Sequence, residues 1–137
     1  MELADTSAWS NRHKSTPVRA DFDSRVAEGE IATCPMVMLE LLWTTRDAAD
    51  FAAARAELEA LPHVPIEQRA WQRAMDVFEA LAAGGPLHHR RVALPDLLVA
   101  AAAELAGIPI CHYDADFDVI AELTDQPVRA IAQLGSL

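Results

Sequence analysis

The sequence predicts an α/β fold with a central, mainly parallel sheet that is flanked by helices. Short apolar stretches alternate with longer amphipathic ones, which is the pattern of parallel strands connected by helices on both faces of a sheet. The chain has 137 residues, 52% of them hydrophobic, enough for a core that needs no disulfide or metal to hold it. We therefore expect residues 1–137 to form a single domain.

Prolines and capping residues set the element boundaries in the first half of the chain. Glu2-Leu3-Ala4 is short and apolar enough for a buried strand, and the Asp5-Thr6-Ser7 that follows can cap a helix. Pro17 and Pro35 each suit the first turn of a helix, and Gly29 ends the first of these two helices. The predicted strands are 2–4 and 31–34, and the predicted helices are 6–11, 17–28, 35–43 and 47–61.

Glycines and prolines divide the second half of the chain in the same way. Pro62 to Ile66 is a short strand or a connector, and the polar, basic segment from Leu87 to Val92 is a loop. Pro95 begins the most apolar helix of the chain, which Gly107 closes and which we expect to be buried on all sides. The remaining predicted elements are helices over 70–81 and 117–123 and strands over 108–113 and 128–131.

The cysteines and the amino terminus indicate the cellular compartment. Cys34 and Cys111 lie in apolar stretches without zinc-site spacing, so we expect two buried, reduced thiols. The amino terminus carries acids where a signal peptide needs a basic region, and no apolar run approaches the roughly 18 residues of a membrane span. The sequence thus predicts a soluble, cytoplasmic protein that does not use a membrane.

The formal net charge of −10 argues against a protein that binds nucleic acid through a broad basic surface. The basic residues are nevertheless clustered, at Arg12-His13-Lys14 with Arg19 and Arg25, and again at His88-His89-Arg90-Arg91. The second cluster is either a contact for nucleic-acid phosphates or an exposed loop without a function. The local charge at a site can therefore differ in sign from the charge of the chain.

Four acidic residues occur where an α/β protein places its ligands. Asp5 and Asp114 each follow a predicted strand, and the carboxyl ends of parallel strands border the ligand crevice of an open sheet. Asp96 in the first turn of its helix and Glu40 within another helix are each a lone carboxylate among apolar residues. Burying such a group is costly unless a cation or strong donors compensate. The four acids therefore predict a metal site.

An all-oxygen ligand set favours Mg²⁺, or Mn²⁺ in its place, over zinc. One ion with its bound water, or two ions roughly 4 Å apart, can activate a hydroxide, align it with phosphorus and neutralise the departing oxygen. This is the chemistry of phosphodiester hydrolysis. The ions and nearby arginines, rather than the net charge, would then meet the phosphates.

Four segments resemble the successive motifs of PIN-domain ribonucleases, and their order, spacing and total length are similar to the VapC toxins of bacterial toxin–antitoxin pairs. The segments are Leu3-Ala4-Asp5-Thr6-Ser7-Ala8-Trp9, Glu40-Leu41-Leu42, Pro95-Asp96-Leu97-Leu98-Val99-Ala100-Ala101-Ala102 and Ile110-Cys111-His112-Tyr113-Asp114-Ala115-Asp116-Phe117. The resemblance covers almost the whole chain. It implies a PIN-like three-layer fold, a Mg²⁺-dependent endoribonuclease acting on transfer, ribosomal or messenger RNA, and silencing by a cognate VapB antitoxin.

Position by position, the resemblance assigns the catalytic acids and metal ligands to Asp5, Glu40, Asp96 and Asp114. It also implies that Asp116, a fifth acid, shares or replaces the role of Asp114. Thr6 matches a hydroxyl that supports the first aspartate or the scissile phosphate. His112-Tyr113 departs from the family, where many members have a threonine or serine with an arginine, and this puts a second hydroxyl contact in doubt.

Other interpretations stay open for the whole chain. It can be a catalytically inactive PIN-like module that binds a protein partner and uses its acids structurally. Two phosphotransfer folds fit poorly, because no second aspartate lies two residues after Asp5 and the only lysine is Lys14. The apolar helices, with Met36, Met38 and Trp43 near Glu40, predict a homodimer.

Individual residues also have alternative roles. Asp5 can serve only as a helix cap, and Asp118 is expected to be a turn or cap residue. Glu104 is either a partner of Asp96 on the same helix face or an exposed residue. The three tryptophans, all on predicted helices, either stack on bases or form core or dimer contacts: Trp9, Trp43 and Trp71.

Overall fold

Four short parallel strands form the centre of the computed structural model, which describes residues 1–137. The strands are β1 (Glu2–Ala4), β2 (Ile31–Ala32), β3 (Ile110–His112) and β4 (Val128–Ala130). Their order across the sheet is β2-β1-β3-β4. Because all neighbours are parallel, the carboxyl ends of the central strands β1 and β3 meet at one edge. The segment 62–66 is a connector that adds a single bridge, from His63 to Thr33.

Seven α-helices surround the sheet, close to the predicted bounds. They are α1 (Thr6–Asn11), α2 (Thr16–Ala27), α3 (Pro35–Trp43), α4 (Ala48–Glu59), α5 (Gln68–Ala83), α6 (Leu94–Ala106) and α7 (Asp116–Thr124). The basic loop contains a short 3₁₀ turn, His88–Arg91, and a second such turn spans Arg12–Lys14. No helix has both the length and the apolar character needed to cross a membrane.

The two faces of the sheet carry separate cores, which confirms the predicted arrangement of helices on both sides. Leu3 and Ile110 are register partners on the neighbouring strands β1 and β3, and both pack in the larger core with α5, α6 and α7. Ala4 and Cys111, the next pair in register, point the other way into a smaller core with Phe22 of α2. Alternation of side chains along each strand produces this division.

Helix α6 is the central helix of the larger core. Every residue from Asp96 to Ala103 is buried, as predicted for a helix that is apolar on all sides. Pro95 lies in its first turn, and Gly107 ends it in the left-handed conformation with φ of +70°. The buried residues of α6 therefore hold the helix in the core, and its first turn contains Asp96, the only buried aspartate of a helix.

Candidate active site

The candidate site lies at the carboxyl edge of β1 and β3, where the first turn of α6 meets them. Asp5 follows β1 directly, and its Oδ2 accepts a hydrogen bond of 2.9 Å from the backbone N–H of Ser7. Ser7 also accepts a 2.9 Å hydrogen bond at Oγ from the N–H of Tyr113, just after β3. Ser7 thus ties the ends of the two strands together, a role that sequence analysis missed because the residues are 106 positions apart.

Three carboxylates converge within this edge. One oxygen from each of Asp96, Asp114 and Asp116 lies within 4.8 Å of the others. Asp114 Oδ1 accepts the N–H of Asp116 at 2.9 Å, and Asp116 Oδ2 accepts the N–H of Ala93 at 2.8 Å. Backbone donors therefore hold the carboxylates of Asp114 and Asp116 in place, and the turn after β3 is tied to the start of α6.

Asp96 is the most perturbed acid of the protein. Burial, followed by the charge of Asp5 and the proximity of Asp116 and Asp114, raises the pKa of its carboxyl to about 9. Its Oδ2 is buried and has no hydrogen-bond partner. At neutral pH and without a cation, Asp96 is therefore protonated, because a further negative charge there is unfavourable.

Asp5 lies beside these three acids. It is only 3% exposed, and burial, assisted by the charge of Asp114, raises its pKa despite the hydrogen bonds from Ser7 and Thr6. The Oδ1 atom of Asp5 is a second buried carboxylate oxygen without a partner. The helix-cap role considered from the sequence is real, but it occupies only the other oxygen, Oδ2.

Glu40 lies next to Asp5, outside the three-carboxylate group. Its Oε1 accepts a 3.0 Å hydrogen bond from the hydroxyl of Thr6. Burial raises the pKa of the half-buried Glu40, and the charge of Asp5 raises it further, whereas the hydrogen bond from Thr6 acts to lower it. The hydroxyl of Thr6 therefore contacts Glu40 and not the first aspartate, which was one of the two roles that the family resemblance implied; the other, support of the scissile phosphate, stays a prediction.

His112 supports the turn that carries Asp114 and Asp116. Its imidazole is fully buried, packs on Phe117 with 5.3 Å between ring centroids, and accepts the N–H of Asp114 at Nδ1 over 3.1 Å. Burial lowers the pKa of this histidine, so the ring is neutral and its proton is at Nε2, 3.7 Å from Asp118. His112, which departs from the family pattern in sequence, thus holds the turn through its Nδ1 atom.

Two other acids that the sequence singled out lie outside this cluster. Asp118 is an exposed residue in the first turn of α7 and makes no capping hydrogen bond, so the cap predicted for it is absent. Glu104 forms an ion pair of 3.0 Å with Arg73 of α5, which accounts for it without a role beside Asp96. Both acids are therefore separate from the candidate site.

The tryptophans divide into one core residue and two exposed ones. Trp9 packs edge-to-face on Phe22 with 4.9 Å between ring centroids, as expected for a core contact. Trp43 and Trp71 are 86% and 52% exposed, so neither belongs to the core of this chain.

The donor set fits a divalent cation. All the converging ligands are carboxylate oxygens, and two of the buried ones, on Asp5 and Asp96, have no hydrogen-bond partner. A buried oxygen of this kind is costly unless a cation or donor meets it, and hard oxygen ligands suit Mg²⁺ or Mn²⁺. Asp96, Asp114 and Asp116 would hold the ion, with Asp5 adjacent.

Comparisons with known proteins agree with this geometry. The family model described as PIN domain matches residues 3–123. The chain is 38% identical to Ribonuclease VapC18 of Mycobacterium tuberculosis (strain ATCC 25618 / H37Rv), over 97% of this chain and 96% of that protein. It is 36% identical to Ribonuclease VapC21 of Mycobacterium tuberculosis (strain CDC 1551 / Oshkosh), over 98% and 96%.

The fold is also that of solved toxin–antitoxin structures. A DNA-bound VapBC from Salmonella typhimurium superposes with a TM-score of 0.73 over 96% of this chain and all of that chain, at 15% sequence identity. Identity at this level supports the PIN-like fold alone, while the close relatives and the family model define the relationship. The chain belongs to the PIN-domain family and, within it, to the VapC ribonucleases.

Proposed function

We propose that residues 1–137 form a single PIN domain that acts as the toxin of a VapBC-type toxin–antitoxin pair. In this proposal the protein is an endoribonuclease that hydrolyses phosphodiester bonds in RNA with Mg²⁺, for which Mn²⁺ can substitute. The observation that carries the proposal is the convergence of buried carboxylates, two of them with an oxygen that has no partner. The enzyme class, a hydrolase acting on ester bonds, follows from membership of a ribonuclease family.

In this proposal the acidic residues have different roles. Asp96, Asp114 and Asp116 would hold the cation with Asp5 beside them, and Glu40, next to Asp5, would orient water. When bound, the divalent ion lowers the pKa of water and neutralises charge at phosphorus. In the hydrolysis the water oxygen bonds to phosphorus, the bond to the departing ribose oxygen breaks, and the water proton is transferred to that oxygen.

The proposal is tested by incubating the purified protein with cellular RNA in Mg²⁺ or Mn²⁺, with and without EDTA. We expect cleavage that EDTA abolishes and that Asp5→Asn abolishes as well, because both remove the ion or a residue that faces it. Mapping of new 5′ ends identifies the RNA and the position of the cut. Calorimetry that detects no divalent-ion binding would contradict the proposal and favour a catalytically inactive PIN-like interaction module.

We further propose a VapB-type antitoxin as partner and the cytoplasm, where its RNA substrates are, as location. Support comes from relatives named VapC and from structural neighbours named VapBC. An arginine of the antitoxin placed among the carboxylates would substitute for the cation electrostatically. An excess of antitoxin should then release bound Mn²⁺, and retention of the ion would contradict this mode of inhibition.

A homodimer is also proposed, through an exposed apolar groove between α3, α5 and the start of α6. The groove has a volume of about 280 Å³, and among its lining residues Trp71, Met75 and Leu94 are 52%, 54% and 64% exposed. Large contiguous apolar surfaces of this kind mark interfaces. Trp71 and Met75 are one helical turn apart on α5, so two copies of the helix can pack against each other.

Met75→Glu is expected to convert the dimer to a monomer, because the interface would then bury an unpaired charge. Light scattering after size-exclusion chromatography measures the mass. Leu123→Glu is the matched control, since Leu123 is 47% exposed on α7 and outside the groove, and should leave the dimer intact. A monomeric wild-type protein at micromolar concentration would refute the proposal.

A further inference from the structure

The basic turn His88–Arg91 lies directly before the first turn of α6 and has no part in the cluster of acids. We propose that Arg90 and Arg91 of this turn bind the phosphates of RNA next to the scissile one. This inference rests on the proposed ribonuclease function, because the ligand is the backbone of its substrate. Four observations carry it: the local charge, the free arginines, the position of the turn and the contacts that hold it.

The charge around the turn is opposite to that of the chain. No aspartate or glutamate occurs from Ala80 to Pro95, although the protein has 21 acidic residues and a net charge of −10. The carboxylates repel the phosphates of an approaching RNA unless nearby positive charges offset this repulsion. A local segment of basic residues supplies such charges. The turn is the segment of this kind nearest in sequence to Asp96.

Its arginines are free, whereas those of the other basic cluster are engaged. Arg90 forms no ion pair or side-chain hydrogen bond, and the only polar side-chain contact of Arg91 is with His88, 3.2 Å away. The other cluster instead pairs with acids of its own chain: Arg12 and Arg19 with Asp23, and Arg25 with Glu2 and Glu30. A phosphate can therefore bind the turn without breaking an existing ion pair.

A short, anchored segment joins the turn to the acids. Arg91 is two residues before Ala93, whose N–H donates to the Asp116 carboxylate over 2.8 Å. Two trans peptide units span at most about 7.6 Å between the Cα atoms of Arg91 and Ala93. The intervening Val92 is buried and anchors the segment to the core. An arginine side chain from here is within reach of a phosphate that neighbours the metal site.

Local contacts hold the turn in a defined conformation. The ring of His89 packs on Phe78 of α5 with 5.2 Å between centroids. A Cβ atom at Gly84 would lie 3.1 Å from the ring of His88, so a larger residue there would require the ring to shift by a few tenths of an ångström. Leu87 starts the turn in the left-handed conformation, with φ of +59°. Anchored histidines and exposed arginines indicate a preorganised phosphate-binding turn rather than an unstructured loop.

The test compares two double variants with the same change in charge. Arg90→Gln with Arg91→Gln removes the turn's cations, and Arg55→Gln with Arg69→Gln is the control. Arg55 and Arg69 are exposed arginines on α4 and α5, and Arg69 lies at the opposite end of α6, beside Leu105. Thermal unfolding and circular dichroism check that both variants are folded.

Cleavage of cellular RNA and binding of a fluorescent RNA of randomised sequence are then measured across a salt series. We expect the turn variant to raise KM about tenfold with little change in kcat, since its arginines bind RNA equally in the ground state and the transition state. Binding by anisotropy in EDTA should weaken equally, and the slope of log K against log salt should fall by about 0.7 for each phosphate that the variant no longer binds. The control should behave as the wild type.

Two outcomes would overturn the inference. One is a turn variant whose KM and salt slope equal those of the control. The other is unchanged RNA binding with loss of inhibition by the antitoxin, which would assign the turn to an acidic protein partner instead. Absence of RNA cleavage by the wild type would contradict the proposed ribonuclease, while the anisotropy measurement, which needs no cleavage, still decides whether the turn binds RNA.

Discussion

Asp96→Asn is expected to lower the rate of RNA cleavage by about 10³-fold or more, equivalent to about 4 kcal/mol of transition-state stabilisation. Burial, followed by the charges of the surrounding carboxylates, raises the pKa of Asp96 to about 9. Only a cation makes its ionised form favourable in this setting. The amide keeps the shape of the side chain but supplies neither the charge nor the second equivalent oxygen that a cation requires.

The same substitution should not weaken the metal-free protein. Asparagine removes the need to keep a buried carboxyl protonated, so the metal-free variant should unfold at the same or a higher temperature than the wild type. Glu104→Gln is a matched control on the same helix, because it makes the same chemical change at a residue paired with Arg73. This control should keep kcat and lose at most about 1 kcal/mol of stability. Cleavage by Asp96→Asn above a tenth of the wild-type rate would contradict the assignment.

The elements of the fold were predictable because their signals are local. Pro17, Pro35 and Pro95 mark helix first turns, and Gly107 marks a helix end, as the structure confirms. The proximity of Asp5 and Asp114 was predictable for a different reason: parallel strands bring their carboxyl ends to one edge.

Contacts between residues distant in sequence were not predictable. Thr6 donates to Glu40, 34 positions away, and Arg73 pairs with Glu104, 31 positions away. Nothing in the sequence around Thr6 or Arg73 indicates which residue it contacts. The choice between Asp114 and Asp116 could not be made for a related reason. A hydrogen bond between the two residues folds the turn so that both carboxylates face Asp96.

The basic clusters illustrate the same limit. In sequence both are clusters of cations. Only the second lies in a stretch without acids, and neither pattern shows which arginines are paired. In the structure Arg25 bonds to the carboxylate of Glu2 over 2.9 Å, whereas Arg90 pairs with no acid. Pairing depends on which strand a helix crosses, and this is decided by packing of the apolar faces rather than by the charges themselves.

The metal-free protein is expected to lose stability as the pH rises from 7 to 9, and Mg²⁺ or Mn²⁺ should restore it. The pKa of Asp96 is raised from 3.8 to about 9 on folding, so in this range the folded state holds a proton that the unfolded state has released. Stability therefore falls as the pH rises toward 9. For one proton, the unfolding free energy can fall by at most about 1.4 kcal/mol per pH unit. The lowered pKa of His112 acts in the opposite direction, but only at a pH below 6.5.

Thermal unfolding between pH 7 and 9, in EDTA and in Mn²⁺, measures both effects. A cation that binds only the folded state adds about 2.7 kcal/mol at a hundred times its Kd, and by stabilising ionised Asp96 it should also flatten the pH dependence. Asp96→Asn has no proton to release at this position, so its unfolding temperature in EDTA should fall less between pH 7 and 9 than that of the wild type. Burial raises the pKa of Cys34 to about 11 and that of Cys111 to about 12, and these thiols leave the same small slope near pH 9 in both proteins. An equal slope in wild type and variant would place the proton on another group, and it would remove the desolvation argument for a cation at Asp96.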